Sequence, residues 1–242
     1  MRHPNEIEFV VSGDYALFSD PISKTGGELI SYPVPTYEAL KGVLASIYWK
    51  PTLIWHIDEV RVMNKIRTVS KAVRLPKRDK TDLSNFTYLK DCVYQVRAHF
   101  EWNENRPELA ADRNEGKHFE IAQRMLRRGG RRDIYLGKRE CQADVEPCVF
   151  GEGESFYDGT GKLDLGFMYH GITYADEAYS EETKGMLTVR FWNAVMEDGV
   201  IRFPRPENIP IEMCKTEHEM EIRPFGHKYN NFTGLSEFGG ED

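Results

Sequence analysis

Three residues in this 242-residue chain have side chains suited to acid–base chemistry at a phosphate: Tyr48 and the adjacent pair Lys117-His118. An imidazole titrates near neutral pH and can move a proton, and an ammonium can stabilise charge growing on a phosphate. Lys117-His118 follows Gly116 and opens a helix, whose free N–H groups also favour an anion. Neighbouring helical residues diverge by about 100°, so a substrate meets both only by wrapping the helix end. The ordinary alternative is a solvated Lys117 and a His118 that caps or packs locally. Tyr48, beside Trp49, likewise reads as a core aromatic with its hydroxyl at the surface. Spacing alone does not link the three. The signatures of nucleotide hydrolysis, acyl transfer and His-Glu-x-x-His metal centres are absent, and Gly151-Glu152-Gly153 is followed by Phe156 where a dinucleotide fingerprint needs glycine. Cys141, Cys148, Cys214 and His218 match no zinc-finger spacing and read as small buried or surface residues.

These side chains need elements to hold them. Glu6–Gly13, rich in β-branched residues and closed by glycine, reads as a buried strand. From Thr36, an N-cap type, Leu40, Val43, Leu44, Ile47 and Tyr48 recur at helical spacing until Pro51. Residues 53–74, with many β-branched positions, and the alternating run Cys92–Trp102 predict two strands flanking a Lys- and Asp-rich turn. Asn114–Arg128 sets Phe119, Ile121, Ala122, Met125 and Leu126 on one helical face and basic residues on the other, ending at Gly129-Gly130. Tyr135–Val145, broken by Gly137, predicts a further strand. The order strand, helix, strand, strand, helix, strand is that of a ferredoxin-like (RRM-like) domain, expected over residues 1–147. Residues 148–242 predict a smaller antiparallel β-rich domain, anchored by a hairpin from Met186–Met196 through Asp198-Gly199 to Val200–Phe203. The expected fold class is α+β.

Charge narrows the partner. The net charge is −7, which taken alone argues against a polyanionic ligand. Its distribution argues the other way. Residues 61–80 hold Arg61, Lys65, Arg67, Lys71, Arg74, Lys77, Arg78 and Lys80 against Asp79. Residues 117–139 hold Lys117, Arg124, Arg127, Arg128, Arg131, Arg132, Lys138 and Arg139 against Glu120 and Asp133. From Glu140 onward eight basic residues face twenty-one acidic ones. One such run is ordinarily a solvated face, but two runs beside one predicted domain are the footprint of local grip on a polyanion. Apolar runs are short, mean hydropathy is −0.56 and no basic-then-apolar leader opens the chain, so an intracellular, cytoplasmic protein with no membrane partner is expected, its four cysteines reduced.

On these elements the chain resembles the CRISPR-associated endoribonucleases of the type I-C (Dvulg) subtype, in the RAMP superfamily. The resemblance rests on Tyr32-Pro33-Val34-Pro35-Thr36, on Gly42-Val43-Leu44 leading through Ala45-Ser46-Ile47-Tyr48-Trp49-Lys50-Pro51, on Asn64-Lys65-Ile66-Arg67, on Leu136-Gly137-Lys138-Arg139-Glu140-Cys141 and on Phe167-Met168-Tyr169. It runs from the first strand to at least residue 170, and more faintly afterwards. It implies a ferredoxin-like domain with a smaller β-rich one, and cleavage of CRISPR precursor RNA in its repeat stem-loop, with no metal and no cofactor.

The implied catalytic residues are Tyr48, Lys117 and His118. The ribose 2′-hydroxyl attacks its own phosphate, His118 moves a proton as base or acid, Lys117 stabilises the pentacoordinate phosphate, and Tyr48 positions or donates to the reacting oxygens. Arg61, Lys65, Arg67, Lys71, Arg74, Arg124, Arg127, Arg128, Arg131, Arg132, Lys138 and Arg139 are the expected RNA-backbone contacts. The resemblance further implies retention on the 5′ handle of mature crRNA, beside the backbone and large subunits of a surveillance complex. The rival reading is a non-catalytic subunit that caps the crRNA 5′ end; Tyr48 and Lys117-His118 discriminate the two. A generic RRM-like RNA-binding module is weakened because no RNP-type aromatic strand appears.

Overall fold

The structure, a computed structural model, describes residues 3–21, 23, 27–76 and 81–222. Strand β1 (Ile7–Ala16) alternates over its first half, with Ile7, Phe9 and Val11 buried, because that inner face lies on the core. A two-residue β2 (Leu29–Ile30) leads to α1 (Tyr37–Ile47), whose buried stripe is Tyr37, Leu40, Val43, Leu44 and Ile47. The Thr36 side chain accepts from the Ala39 N–H at 3.2 Å and caps the helix. Then come β3 (Leu53–Val62), β4 (Thr68–Pro76) and a 22-residue β5 (Thr81–Trp102). Helix α2 (Glu115–Leu126) is capped by Asn114, which accepts from the Lys117 N–H at 3.0 Å.

Short β6 (Ile134–Tyr135) and β7 (Gln142–Pro147) follow, then β8 (Lys162–Thr173), β9 (Met186–Glu197), β10 (Val200–Arg202) and β11 (Cys214–Glu219). The molecule is mostly antiparallel sheet with a few helices, an α+β arrangement.

The sheet runs β11-β9-β10-β3-β5-β1-β7-β6, with β8 on β9 and β2 and β4 on β5. Within it, β3, β5, β1 and β7 are neighbours in that order, α1 lies between β1 and β3 in sequence, and α2 between β5 and β7. Register places Trp55 opposite Phe100 and Phe9 opposite Val96. The two helices touch each other, and α1 also packs on β3 and β8. Glu38 fixes the last contact by accepting from the Ile172 N–H at 2.9 Å. Strand β10 pairs with β3 through Val200–Arg61, Ile201–Val60 and Arg202–Glu59, so the C-terminal strands extend the first sheet.

Several boundaries differ from the sequence expectation. The run 53–74 divides into β3 and β4 because β4 pairs with the first half of β5, while β1 and β3 take the second half. Where β5 changes partners, Asp91 adopts φ 54°, and Arg67 grips its carboxylate at 2.6 Å. Lys77, Arg78 and Lys80 fall outside the described residues. The stretch Tyr135–Val145 is two short strands around Gly137, where φ is 91° and an added Cβ would lie 2.1 Å from the Leu17 carbonyl oxygen. The hairpin of β9 and β10 turns on Asp198 and Gly199, both at positive φ, as the Asp-Gly pair predicts. No helix among the described residues is long and apolar enough to cross a membrane.

Candidate active site

Helix α1 stops one residue before Tyr48, whose N–H closes the last turn on the Leu44 carbonyl at 2.8 Å. The extended backbone at Tyr48 turns its side chain towards α2. There the inward stripe is His118, Ala122 and Leu126, each four residues apart, so His118 is the first core-facing position of the helix and is fully buried. The Tyr48 hydroxyl lies 2.7 Å from His118 Nδ1, and His118 Nε2 lies 2.8 Å from the Asp112 carbonyl oxygen. A carbonyl only accepts, so Nε2 carries the ring proton and Nδ1 of the neutral ring accepts from Tyr48. Phe100 and Trp102 from β5 abut the imidazole edge to face and hold its plane.

Asp112 is the hub of the cluster. It closes a short 3-10 turn, Pro107–Asp112. Its carboxylate lies 3.6 Å from His118 Nε2 and accepts from Thr52 Oγ1 at 3.2 Å. The Lys117 ammonium donates to the Asp112 carbonyl at 3.1 Å and to its carboxylate. That lysine contact holds the Asp112 carboxyl below the usual carboxylate range. Burial, aided by the Asp112 charge and opposed by Arg131, raises the Tyr48 hydroxyl above its ordinary value, so Tyr48 stays protonated and donates.

The arrangement is a connected hydrogen-bond chain: Asp112 orients a buried imidazole, the imidazole faces a tyrosine hydroxyl, and an exposed ammonium stands at the rim. It repeats the logic of a nucleophile–base–orienter triad with tyrosine in the outer place. Sequence reasoning missed Asp112; its one signal was a carboxylate five and six residues ahead of Lys117 and His118. The sequence puts His118 at a helix start; the structure buries it there and buries Tyr48 beside it, so of the three expected residues only Lys117 is exposed.

The expected phosphate-binding residues divide. Arg61 is corrected: it is buried, forked onto Asp158 at 2.8 and 2.9 Å and bonded to the Gly153 carbonyl at 3.1 Å, and so ties the 152–158 loop to β3. Lys65, Arg67, Lys71 and Arg74 are exposed, with Lys71 seated on the Tyr15 ring and Arg67 held by Asp91. Arg124, Arg127, Arg128, Arg131, Arg132 and Arg139 are exposed and Lys138 is half-buried. Lys117 and Arg124, seven residues apart, share one face of α2, and Arg127 and Arg128 follow in the turn just past its end. The Arg131 and Arg132 N–H groups both bond the Ser46 carbonyl at 3.0 Å, which ties their loop to the end of α1. An open cleft of about 790 Å³ joins Arg128, Arg131 and Arg132 to Asn64 and to Asp14 and Asp144. Burial pushes the thiols of Cys92, Cys141 and Cys148 up to about 11, so none is a thiolate nucleophile at neutral pH.

A family model described as CRISPR-associated protein (Cas_Cas5), Cas_Cas5d, matches residues 6–204. A CRISPR pre-crRNA endoribonuclease Cas5d of Mannheimia succiniciproducens is 29% identical over 232 residues, covering 83% of this chain and 95% of its own. One of Thermus thermophilus is 27% identical over 215 residues, covering 80% and 89%. Among solved structures, a CRISPR-associated protein superposes with TM-score 0.73 at 36% identity, covering 87% of this chain and 96% of its own. A functionally uncharacterised protein of Streptococcus mutans gives 0.71 at 37%, covering 87% and 97%.

Proposed function

The chain belongs to the Cas5d family of CRISPR-associated proteins, and from that premise we propose that it is an endoribonuclease that cuts CRISPR precursor RNA within its repeat stem-loop, without a metal ion. The observation that carries the reading is the path from Asp112 through His118 to Tyr48, with Lys117 exposed beside it on the same helix as Arg124. As the ribose 2′-oxygen attacks the adjacent phosphorus, its proton passes to the Tyr48 oxygen while the Tyr48 proton passes to His118 Nδ1. The imidazolium so formed is stabilised by the Asp112 carboxylate, 3.6 Å from Nε2. Lys117 neutralises the phosphorane and protonates the departing 5′-oxygen. The products are a 2′,3′-cyclic phosphate and a 5′-hydroxyl.

On the same reading residues 1–147 form a ferredoxin-like RNA-binding and catalytic domain and residues 148–242 a smaller β-rich one. The exposed Lys65, Arg67, Lys71, Arg74, Arg124, Arg127, Arg128, Arg131, Arg132, Lys138 and Arg139 hold the RNA backbone. The protein stays on the crRNA 5′ handle in the cytoplasm, beside the backbone and large subunits of a surveillance complex.

The test is incubation with cognate repeat RNA in excess chelator. Cleavage with the stated end groups is expected, and a 2′-deoxy substitution 5′ of the scissile phosphate abolishes cutting while sparing binding. Cutting of the deoxy substrate overturns the mechanism, and absence of cutting in chelator alone overturns metal independence.

A further inference from the structure

Successive side chains of a strand point to opposite faces, so His99, one position before the Phe100 that abuts His118, lies on the other side of the sheet from the Tyr48 site. It is 1% exposed. Its Nδ1 lies 2.8 Å from an Asp58 carboxylate oxygen, and the His3 ring lies flat on it with centroids 3.6 Å apart. One donor atom from each of His3, Asp58 and His99 lies within 4.8 Å of the others; among the described residues no other group of His, Cys, Asp or Glu side chains comes together in this way. A second observation concerns the far side of the ring. His99 Nε2 is buried without a hydrogen-bond partner and looks at Glu101 Oε1 across 3.6 Å. Arg205 fixes that carboxylate in place with a fork of two 2.7 Å bonds.

We propose that His3, Asp58 and His99 bind a borderline divalent cation, Zn2+ foremost, which fastens the segment ahead of β1 to the sheet. Two imidazole nitrogens and one carboxylate oxygen are a common zinc donor set. The ring chemistry of His99 supports it. Without a cation, Nδ1 must carry the proton to bond Asp58, which leaves a bare Nε2 lone pair facing a second carboxylate. With a cation on Nδ1 the ring proton moves to Nε2, where it faces the Glu101 carboxylate across 3.6 Å in place of a bare lone pair. A ligating imidazole backed by a carboxylate is the usual support of such a site. His3, half-buried ahead of β1, brings its nitrogen in by turning its ring edge-on, and the partly exposed Asp58 and His3 give the ion a route in. The site is separate from the RNA chemistry proposed above, so its ion supports the fold and leaves cleavage in chelator unchanged.

The full chain, stripped with chelator and dialysed, is titrated with ZnCl2 by calorimetry and with Co2+ by visible absorption, alongside His3→Ala and Asp58→Asn. One equivalent of Zn2+ that raises Tm is expected, with affinity falling about tenfold or more in each variant. His3 lies outside the sheet, so that variant keeps the fold, which circular dichroism verifies. No saturable one-to-one uptake overturns the proposal. Uptake that is equal in both variants overturns it by placing the ion elsewhere. RNA cleavage measured on the same stripped samples reads the nuclease proposal independently.

Discussion

The Tyr48 hydroxyl and His118 Nδ1 are 2.7 Å apart although 70 residues separate them in the chain. One residue lies at the end of α1, the other in the first turn of α2, and the contact forms only when both helices settle on the sheet. The pair is therefore a readout of tertiary structure as well as the proposed proton path.

Tyr48→Phe removes the hydroxyl and keeps the ring that packs beneath α2. Single-turnover cleavage is expected to fall by about two to four orders of magnitude, the range of a positioned proton-transfer group, with RNA affinity within a few fold. Wild-type cleavage by this variant would dismiss Tyr48 from the chemistry.

His118→Ala is expected to lose cleavage and stability together, because the ring is fully buried between Phe100, Trp102 and Tyr48. The cavity and the Tyr48 hydroxyl left without its His118 partner together cost about 2–4 kcal/mol. His118→Gln fills most of the space, so its Tm lies above that of the alanine variant while its cleavage stays low. Recovery of cleavage in proportion to folded protein would reduce His118 to a packing residue.

The Asp112 carboxyl is held low by Lys117. A group whose pKa is depressed on folding contributes stability above its unfolded value, about 3.9, and loses it as the pH falls through the lower folded value. Lys117→Met removes the cause. Both residues are partly exposed, so the Tm gap between the two proteins is small at neutral pH and closes in strongly acidic buffer. A gap that widens on acidification would contradict the assigned pairing.

Replacing Arg124, Arg127 and Arg128 together by alanine is expected to weaken RNA binding and to flatten the plot of log affinity against log salt by about 2, at roughly 0.7 to 0.9 per lost phosphate contact. Removing acidic residues beyond position 150 leaves the slope unchanged. Identical slopes for wild type and triple variant would take these three arginines at the end of α2 out of the RNA interface.

Arg61→Ala gives the opposite pattern to the surface arginines. Its guanidinium is already committed to Asp158 and to the Gly153 carbonyl, so the variant lowers Tm and leaves the salt slope unaltered. A shallower slope with an unchanged Tm would return Arg61 to the RNA surface.

The helices were legible because their caps and stripes are local: Thr36 and Asn114 act three residues away, and the apolar positions repeat with the turn. The hairpin of β9 and β10 was legible for the same reason, through Asp198-Gly199. The long β5 was hidden because half of its pairing is with β4, whose Lys71 and Arg74 read as members of a charge run rather than as strand positions. Arg61 was placed with the surface cations because sequence reports charge and not burial, and the loop that covers it comes ninety residues later. Asp112 escaped notice because it orients His118 through its backbone carbonyl, which every residue possesses.

The seam between β3 and β10 has a consequence for the solubility of the separated halves. Beyond the three register pairs, the Val62 N–H bonds the Gly199 carbonyl at 2.8 Å and the Asp58 carbonyl accepts from the Phe203 N–H at 3.1 Å. A chain ending at Pro147 would bare those groups along the flank of β3, with Val60 and Val62 in the same strand. Such a bare flank is a template for another strand. The amino-terminal half made alone is expected to aggregate edge to edge, and the C-terminal half acts as its built-in guard against self-association.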